Sequence, residues 1–373
     1  MNKIEETKKK IKILIVGAGM YVTGRGTNNY GTILPAVCNE YINNNVSEII
    51  LTSTSVQSAN YAKKTLLKLS KVFNNEINFK AFPIQKNNKN EYLKIAKKFR
   101  PDAAIISVPD NLHYEVTKNL IKLNIHCLVV KPLSDKLNQA KDLIRLTNKY
   151  KVLGLVEFHK RFDEANLIIK EKIKSNEIGE LLYSVIEYSQ KKLIPEKIFK
   201  KWHKYTNIFQ YLGVHYVDLI YYFTRYVPLF VIAIGQREYL KGKKINNFDS
   251  IQVIIEWIKP NKEIFTSYHF SSWVDPNSSS SMSDQKISII GSTGKIVSDQ
   301  KNRGLQLVED KKGIQDINPY FSSLVSDKNY SSSQFFGYGF NSISKFIESS
   351  KEIVCNNKNY KLFLKNNRSF EEA

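Results

Sequence analysis

A chain of 373 residues is long for a single core and suits two domains. Hydrophobic residues make up 42% of it and aromatic residues 12%, so both domains can bury sizeable cores and disorder is not expected. The longest apolar runs, Ile13–Met20 and Ala103–Val108, are much shorter than the roughly 20 residues of a membrane span. The charged segment Met1–Lys12 is not followed by a signal-type core. We therefore expect a cytoplasmic protein that does not associate with a membrane.

The formal net charge of +21 comes almost entirely from lysine, because 48 of the 56 basic residues are Lys. Nucleic-acid surfaces favour arginine and stacking aromatic residues in fixed motifs, and the sequence shows no such motif. A lysine-rich solvated surface, which also attracts anionic cofactors and substrates, is the expected result. Cys38, Cys127 and Cys355 lie far apart, and no group of His, Cys, Asp or Glu has metal-ligand spacing. We predict neither a nucleic-acid partner nor a bound metal.

Strands and helices alternate through the first 157 residues. Apolar runs predict strands at Lys12–Val16, Glu48–Leu51, Ile77–Phe82, Ala103–Val108, Cys127–Val130 and Val152–Phe158. Helical patterns separate them at Ile33–Ile42, Ala59–Leu69, Tyr92–Phe99, His113–Leu123 and Leu133–Tyr150, the last with Ser134 as its N-cap. Six strands with crossover helices predict a doubly wound parallel sheet, a Rossmann domain, over residues 1–157.

The pattern changes in residues 158–373. Helices are predicted at Phe162–Ile173 and Tyr211–Phe223, and strands at Leu181–Tyr188, Leu229–Tyr239, Ser250–Ile258, Glu263–Trp273, Lys286–Ile290 and Gly304–Val308. This pattern predicts an α+β domain with a large, open and mostly antiparallel sheet, covered by helices on one face. The other face, with Val253, Ile255 and Trp257 or their alternates, needs cover, so we expect a homodimer or homotetramer.

The first strand ends in Gly17-Ala18-Gly19, followed by Met20. Glycines after a strand let the backbone approach a dinucleotide pyrophosphate, and the helix that follows supplies N–H donors. The stretch Tyr21–Gly31 looks like an insertion that delays this helix, and Arg25 within it can meet a phosphate or a substrate anion. The alternative is a tight strand–helix turn with no ligand.

The second strand ends in Ser53-Thr54-Ser55, without the acid that usually holds the adenine ribose. Ser53 and Thr54 are therefore predicted cofactor residues, and NADP is expected at least as readily as NAD. The alternative is a plain loop whose hydroxyls cap the helix at Ala59.

Three longer motifs carry a family resemblance. They are Ala103–His113 with its Ser-Val-Pro-Asp-Asn-Leu-His ending, Val129–Ser134 with Lys131-Pro132, and Tyr211–Asp218 with its Gly-x-His-x-x-Asp pattern. Together with Glu157–Phe162, Gly291–Ile296 and Gly337–Gly339, they resemble the glucose–fructose oxidoreductase / inositol dehydrogenase (Gfo/Idh/MocA) family in order and spacing, over nearly the whole chain. The family fold is a Rossmann domain followed by a domain with an open, mainly antiparallel sheet.

The resemblance implies a cofactor, NAD or NADP, held by residues from these motifs. The implied cofactor residues are Ser107, Val108, Pro109, Asn111, His113 and Lys131, in addition to the glycine turn. His113 is expected to line the cofactor site or to cap its helix. Two departures from the family pattern matter: Val130 replaces the usual Glu before the lysine, and Tyr211 stands where many members carry Asp.

Hydride transfer needs a partner for the hydroxyl proton of the substrate. Lys131, at the end of a parallel strand, can hold and polarise the substrate oxygen, and His215 can take or return the proton. Tyr211 can donate to the substrate or relay a proton, and Asp218 can orient His215 or bind a hydroxyl. Arg161 is a further candidate for substrate binding, with a surface ion pair as its alternative. A core position is the alternative for His215 and for Tyr211.

These residues favour an oxidoreductase that interconverts a hydroxyl and a ketone on a sugar, cyclitol or nucleotide-linked sugar. One alternative is an NAD-dependent glycosidase-type enzyme that oxidises its substrate only transiently. The other is a non-catalytic sensor of dinucleotides or sugars. Net turnover of the cofactor separates the first two, and binding without turnover indicates the third.

Overall fold

The computed structural model describes residues 9–27, 29–199, 203–311, 313–326, 333–365 and 367–373. The chain forms two compact units: Met1–His159 with Phe321–Ala373, and Lys160–Tyr320. The first boundary lies two residues beyond the predicted one. The second domain was predicted to continue to residue 373, whereas the structure assigns the last 53 residues to the first unit.

A six-stranded parallel sheet forms the centre of the first unit. Its strands are β1 (Ile11–Val16), β2 (Val46–Thr52), β3 (Phe79–Phe82), β4 (Ala103–Ile106), β5 (His126–Val130) and β6 (Gly154–Glu157). Their order is β3-β2-β1-β4-β5-β6, and every neighbouring pair is parallel. The predicted Rossmann fold is confirmed. The strand order reverses between β1 and β4, which is where such sheets bind ligands.

Helices connect these strands. They are α1 (Met20–Thr23), α2 (Ile33–Ile42), α3 (Val56–Val72), α4 (Glu91–Phe99), α5 (His113–Ile121) and α6 (Leu137–Tyr150). The predicted delay of the second helix to Ile33 is confirmed, although Met20–Thr23 forms a helical turn first. Ser134 is not the N-cap of α6, because the helix begins at Leu137 with Lys136 at the N-cap position. The Ser134 hydroxyl donates to the Lys136 carbonyl at 2.8 Å instead.

The C-terminal segment completes the first unit. It contains the hairpin of β15 (Ser323–Ser326) and β16 (Ser333–Phe336), then helix α10 (Tyr338–Cys355). Phe346 and Ile347 of α10 are fully buried in the same core as Ile33 of α2. The Val156 amide of β6 donates to the Arg368 carbonyl at 2.9 Å. This burial explains why the segment belongs with the first unit.

The second unit contains a six-stranded sheet in the order β12-β11-β7-β10-β9-β8. The strands are β7 (Leu181–Lys191), β8 (Val227–Gln236), β9 (Ser250–Ile258), β10 (Ile264–Asp275), β11 (Ser283–Gly291) and β12 (Lys295–Asp299). Only the β7–β10 pair is parallel, so the predicted mostly antiparallel sheet is confirmed. The predicted strand at Gly304–Val308 lies apart from it, as β13 (Gln306–Glu309) paired with β14 (Gly313–Asp316).

Helices α7 (Glu164–Lys174), α8 (Val214–Thr224) and α9 (Tyr239–Gly242) also belong to this unit. Val253, Ile255 and Trp257 pack in one core with residues of α8. The residues that alternate with them along β9, such as Ile254 and Glu256, therefore lie on the other face of the sheet. The edge strand β8 is exposed at all ten positions. Among the described residues, no helix combines the length and apolar character needed to cross a membrane.

Candidate functional site

The glycine turn after β1 lies against the end of β4. Gly17 has φ +117°, and a Cβ there would lie 1.9 Å from the Ser107 carbonyl oxygen, so only glycine fits. A Cβ on Gly19 would meet no atom within 4 Å, so the backbone there is open to a ligand. Met20 follows as the first residue of α1 and is 38% exposed. Three predicted cofactor residues are thus brought together at the strand reversal, and this open turn fits a dinucleotide pyrophosphate.

The loop after β4 is fixed by His113. Its Nδ1 lies 2.6 Å from the Pro132 carbonyl oxygen and its Nε2 lies 2.9 Å from that of Val108. Burial lowers the pKa of His113, while Asp110 and the two carbonyls favour the charged ring. A neutral ring can donate to only one of the two carbonyls. These contacts support a positioning role, in which His113 joins the β4 loop to the segment after β5.

The other predicted cofactor residues of this loop occupy its more accessible positions. Ser107, Val108 and Pro109 are half-buried, and Asn111 is exposed in a short 3₁₀ turn before α5. Their backbone follows directly from the strand that carries Ser107 against Gly17. These four residues are therefore accessible to a ligand. The ring of His113 is not, because only 1% of this residue is exposed.

Lys131 follows β5 and is buried, with 8% of its surface exposed. Burial lowers the pKa of Lys131 to about 8, and the charges of Asp110 and Glu157 partly oppose that effect. An amine with this pKa exists in both protonation states near neutral pH. A lysine with a perturbed pKa at the end of a parallel strand is a candidate for contact with a substrate oxygen.

Glu157 ends β6 and is fully buried. Ser342 Oγ donates to Glu157 Oε1 at 2.8 Å, and His159 Nδ1 lies 3.0 Å from Oε2. In the register of the sheet, Glu157 is the partner of Val130 on the neighbouring strand. The Glu157 carboxylate therefore lies next to Val130, the residue that replaces the usual Glu of the family pattern.

The surroundings of Glu157 come from distant parts of the first unit. Arg368 is 1% exposed, donates to the Ser342 carbonyl at 2.6 Å and also contacts the Ser342 hydroxyl. Burial, and next the charge of Glu157, raise the pKa of the Tyr21 hydroxyl. The sequence patterns did not identify Tyr21, Ser342 or Arg368 as site residues. Glu157 was named only as the first residue of a family motif, without a role. The only signal in the sequence was an acid at the end of an apolar strand.

Changing Glu157 to glutamine is expected to lower the pKa of Lys131 below about 8, because one of two carboxylate charges that favour the ammonium is removed. A lower pKa leaves more neutral amine near neutral pH, so Lys131 becomes easier to acylate. The rate of acylation against pH, followed by peptide mass spectrometry, measures this midpoint. Glu91→Gln is the matched control, since Glu91 is also buried but bonds Asn88. An unchanged midpoint in Glu157→Gln contradicts the prediction.

The end of β2 carries the predicted hydroxyl residues. Ser53 Oγ donates to the Ser55 carbonyl at 3.0 Å, and Thr54 is exposed. Ser55 is the N-cap of α3, because its hydroxyl accepts from the Ser58 amide at 3.2 Å. Capping by a hydroxyl, the alternative interpretation of this loop, therefore applies to Ser55, and the helix begins at Val56 rather than at Ala59.

In the second unit, Arg161 and Asp218 form a buried ion pair. Arg161 Nε donates to Asp218 Oδ2 at 2.9 Å and Nη2 donates to Oδ1 at 2.6 Å, with each side chain only 3% exposed. The Arg161 guanidinium also lies 4.9 Å from the centre of the Tyr222 ring. A planar guanidinium matches both carboxylate oxygens, so these two predicted substrate residues bind each other. The ion pair considered for Arg161 exists, but in the interior rather than on the surface.

His215 lies near the start of α8 and is 3% exposed. The turn before it, Phe209–Gly213, is π-helical, and a Cβ on Gly213 would lie 2.3 Å from the Phe209 ring. Tyr211 lies in this π turn, so the helix predicted at Tyr211–Phe223 begins in the structure at Val214. Tyr211 packs edge-on against Phe199, with ring centres 5.0 Å apart. π turns of this kind are frequent at functional sites.

No group of three or more His, Cys, Asp or Glu side chains within the described ranges is arranged to hold a metal ion.

Comparison with known proteins identifies the family. A family described as "Oxidoreductase family, NAD-binding Rossmann fold" matches residues 11–158, and the "GFO/IDH/MocA C-terminal domain" matches residues 167–297. The chain belongs to the Gfo/Idh/MocA oxidoreductase family. The predicted family and its NAD-type cofactor, bound by the Rossmann domain, are confirmed.

Solved structures of this family share the fold. A myo-inositol 2-dehydrogenase from Lactobacillus plantarum aligns with a TM-score of 0.65 at 16% identity, over 93% of this chain and 89% of its own. A scyllo-inositol dehydrogenase from Lactobacillus casei, with bound NAD(H) and scyllo-inositol, aligns with a TM-score of 0.65 at 17% identity, over 98% and 93%.

A curated relative matches a shorter part of the chain. The uncharacterized oxidoreductase C26H5.09c of Schizosaccharomyces pombe is 32% identical over 81 residues, which is 22% of each protein. The match thus spans about a fifth of the length of this relative.

Proposed function

We propose that this Gfo/Idh/MocA family member is an NAD(P)-dependent oxidoreductase that interconverts a hydroxyl and a ketone on a sugar or cyclitol. The observation that carries the proposal is Lys131, a buried amine with its pKa lowered to about 8, on the same sheet edge as the glycine turn. The inositol dehydrogenases of the same fold support a polyhydroxylated ring as the substrate class.

The first unit would hold the cofactor through Gly17, Gly19 and the loop after β4. The nicotinamide ring, when bound, accepts or returns the hydride. Lys131 in its ammonium form binds and polarises the substrate oxygen, and this form is lost as the pH rises through its pKa of about 8. His113 holds the β4 loop and the segment after β5 in one arrangement. Asp110 and Glu157 keep part of the Lys131 population protonated.

For the second unit, we propose that His215 acts as the acid–base residue of the same reaction and that Tyr211 contributes a hydroxyl to the substrate. The buried Arg161–Asp218 pair acts as a positioning element for α8, because it attaches the middle of that helix to the segment that precedes α7. For Arg161 and Asp218 we therefore propose a positioning role in place of the direct substrate contact predicted from the sequence.

A screen of cyclitols, sugars and nucleotide sugars tests the function. Purified protein is mixed with NAD or NADP and each compound, and the reduced nicotinamide is followed by its absorbance. Net reduction with a cyclitol or sugar is the expected result. Substrate cleavage without net reduction would indicate the glycosidase-type alternative, and dinucleotide binding without any turnover would indicate a sensor.

We also propose that the protein forms a homodimer or homotetramer through the sheet of the second unit. β8 is an edge strand, and six of its large apolar residues are exposed: Val227, Leu229, Phe230, Val231, Ile232 and Ile234. An exposed apolar edge strand pairs readily with another chain unless something covers it. A second copy of the chain provides that cover.

Ile232→Lys is expected to convert the oligomer to a monomer, because it places a charge in the centre of the proposed interface. Light scattering at micromolar concentration measures the mass, and a stable dimer corresponds to a free-energy gain of about 8 kcal/mol or more at that concentration. Ile168→Lys is the matched control, since Ile168 is an exposed isoleucine on α7. A monomeric mass for the unmodified protein would refute the proposal.

A further inference from the structure

His159 follows shortly after β6 and is held by a buried carboxylate. Its Nδ1 lies 3.0 Å from Oε2 of Glu157, and 12% of the His159 side chain is exposed, against 1% for Glu157. An ionised carboxylate accepts and does not donate, so the ring proton of this hydrogen bond lies on Nδ1. In the neutral ring, Nε2 therefore carries the lone pair and can accept a hydrogen bond from a hydroxyl.

Three aromatic rings surround the imidazole of His159. It stacks on the ring of Tyr338, with centres 5.8 Å apart and an angle of 21° between the planes. The centres of the Phe321 and Tyr21 rings lie 5.3 Å and 6.1 Å from it. Because these rings restrict the plane of the imidazole and Glu157 holds one nitrogen, the other nitrogen has a fixed direction.

The motif Gly337-Tyr338-Gly339 brings Tyr338 to this place. Gly337 has φ +127° and directly precedes α10. The Gly339 amide donates to the Phe321 carbonyl at 2.9 Å, and a Cβ on Gly339 would lie 2.9 Å from the Phe321 ring. A larger residue at position 339 would therefore push Phe321 away. This motif, to which the proposed function gives no role, thus builds the aromatic surroundings of His159.

The carboxyl ends of β5 and β6 place His159 near Lys131. Glu157 on β6 is the register partner of Val130, the residue before Lys131. Neighbouring strands lie about 4.8 Å apart, and parallel strands end at the same edge of a sheet. The charge of Glu157 acts on the amine of Lys131, as expected of groups at this spacing. His159 and Lys131 are therefore placed to contact two oxygens of one polyhydroxylated ring.

We propose that His159, oriented by Glu157, binds a substrate hydroxyl on the carbon next to the one that is oxidised, while Lys131 polarises the reacting oxygen. Nε2 accepts the hydrogen bond of the neighbouring hydroxyl. His159 thus selects sugars or cyclitols that carry a donor at that carbon, and Glu157 is its positioning residue. This role rests on the proposed function, since it adds a second contact to the same substrate.

Kinetics of the full-length protein test this contact with the substrate found by screening and with its derivatives that lack one hydroxyl next to the oxidised carbon (glucose and 2-deoxyglucose form such a pair). His159→Phe keeps a ring among the aromatic side chains and removes both nitrogens. It is expected to lower kcat/KM for the complete substrate about 10- to 100-fold, the usual cost of a hydroxyl left without its partner. The unmodified enzyme should lose a similar factor with one deoxy derivative, whereas His159→Phe should distinguish the two compounds by less than about 3-fold.

Two further variants complete the test. His159→Gln should recover part of the loss, because its amide oxygen can accept in place of Nε2. His126→Asn is the matched control, since His126 is a buried histidine at the start of β5 whose Nδ1 accepts from the Leu153 amide at 3.0 Å, a role that the asparagine oxygen can keep. That control should change neither kcat/KM nor the discrimination. Titration with NADH, at unchanged affinity, shows that each variant is folded.

Near-normal kcat/KM in His159→Phe would overturn the contact with the neighbouring hydroxyl. A loss that leaves the discrimination against the deoxy derivative intact would also overturn it, because a structural role lowers both rates equally. An equal loss in His126→Asn, or an unmodified enzyme that does not distinguish the compounds, would have the same consequence. All of these results leave the proposed function in place, whereas absence of turnover with every compound would refute the proposed function itself.

Discussion

Replacement of His215 by alanine is expected to lower kcat by about 10²–10⁴-fold, the usual loss for an acid–base group, with dinucleotide affinity nearly intact. His215 is almost fully buried near the start of α8, after a π-helical turn whose geometry depends on Gly213 and Phe209. Its imidazole can take a proton from a substrate hydroxyl or return one to a ketone. The proposed cofactor residues belong to the first unit, so dinucleotide affinity should not depend on this side chain.

Stopped-flow or steady-state kinetics with the substrate found by screening measure kcat, and titration with NADH measures affinity. His269→Ala is the matched control, because His269 is also a buried histidine of the second unit and forms a hydrogen bond with Ser267. Burial lowers the pKa of His269 to about 3. That control should reduce stability and leave kcat of the folded fraction near normal. If His215→Ala, correctly folded, retains near-normal kcat, the histidine has a structural role instead.

Replacement of Lys131 by methionine is expected to lower kcat by about 10²–10⁴-fold and also to raise KM for the substrate. In the proposed role the amine contacts the substrate oxygen in the ground state and in the transition state, so both parameters should change. Methionine keeps the volume of the side chain in a buried position, which limits loss of packing.

The pH dependence gives a second measure of Lys131. Its pKa of about 8 means that the ammonium form is complete well below pH 8 and is lost as the pH rises through that value. Ketone reduction needs the ammonium to polarise the substrate oxygen, so its rate in the unmodified enzyme should fall as the pH rises through about 8. Lys131→Met should lack this limb of the profile. A variant with unchanged KM and the same limb would exclude a direct role for the lysine.

The sequence was sufficient where structure depends on local pattern. The buried strands of the first sheet are nearly continuous apolar runs, and the alternation in Ser250–Ile258 predicted β9 with the bounds that the structure has. Gly17-Ala18-Gly19 indicated a turn after the first strand that needs glycine, and Gly17 there has φ +117°; its approach to a pyrophosphate stays a prediction. In each case the residues that determine the element are neighbours in the chain.

Long-range contacts could not be predicted in this way. Asp218 pairs with Arg161 across 57 positions, and Ser342 reaches Glu157 across 185. Helix α10 was not predicted, although its apolar residues fill a core together with α2 at the other end of the chain. The helix predicted to start at Tyr211 likewise begins at Val214 after a π turn at Phe209–Gly213, because a helical pattern in the sequence does not reveal one extra residue in a turn.

The division of the first unit between the two ends of the chain has a consequence for biosynthesis. A ribosome releases all six strands of the Rossmann sheet long before α10 and the Leu155–Ser369 bridge that complete the unit. The second unit, Lys160–Tyr320, is continuous, and domains generally fold as units during synthesis. The nascent N-terminal sheet must therefore remain incomplete, with the apolar surface of Ile33 and Leu34 uncovered, until α10 emerges. Truncation of only the final 36 residues should leave the second unit able to fold while the cofactor-binding unit becomes a chaperone substrate.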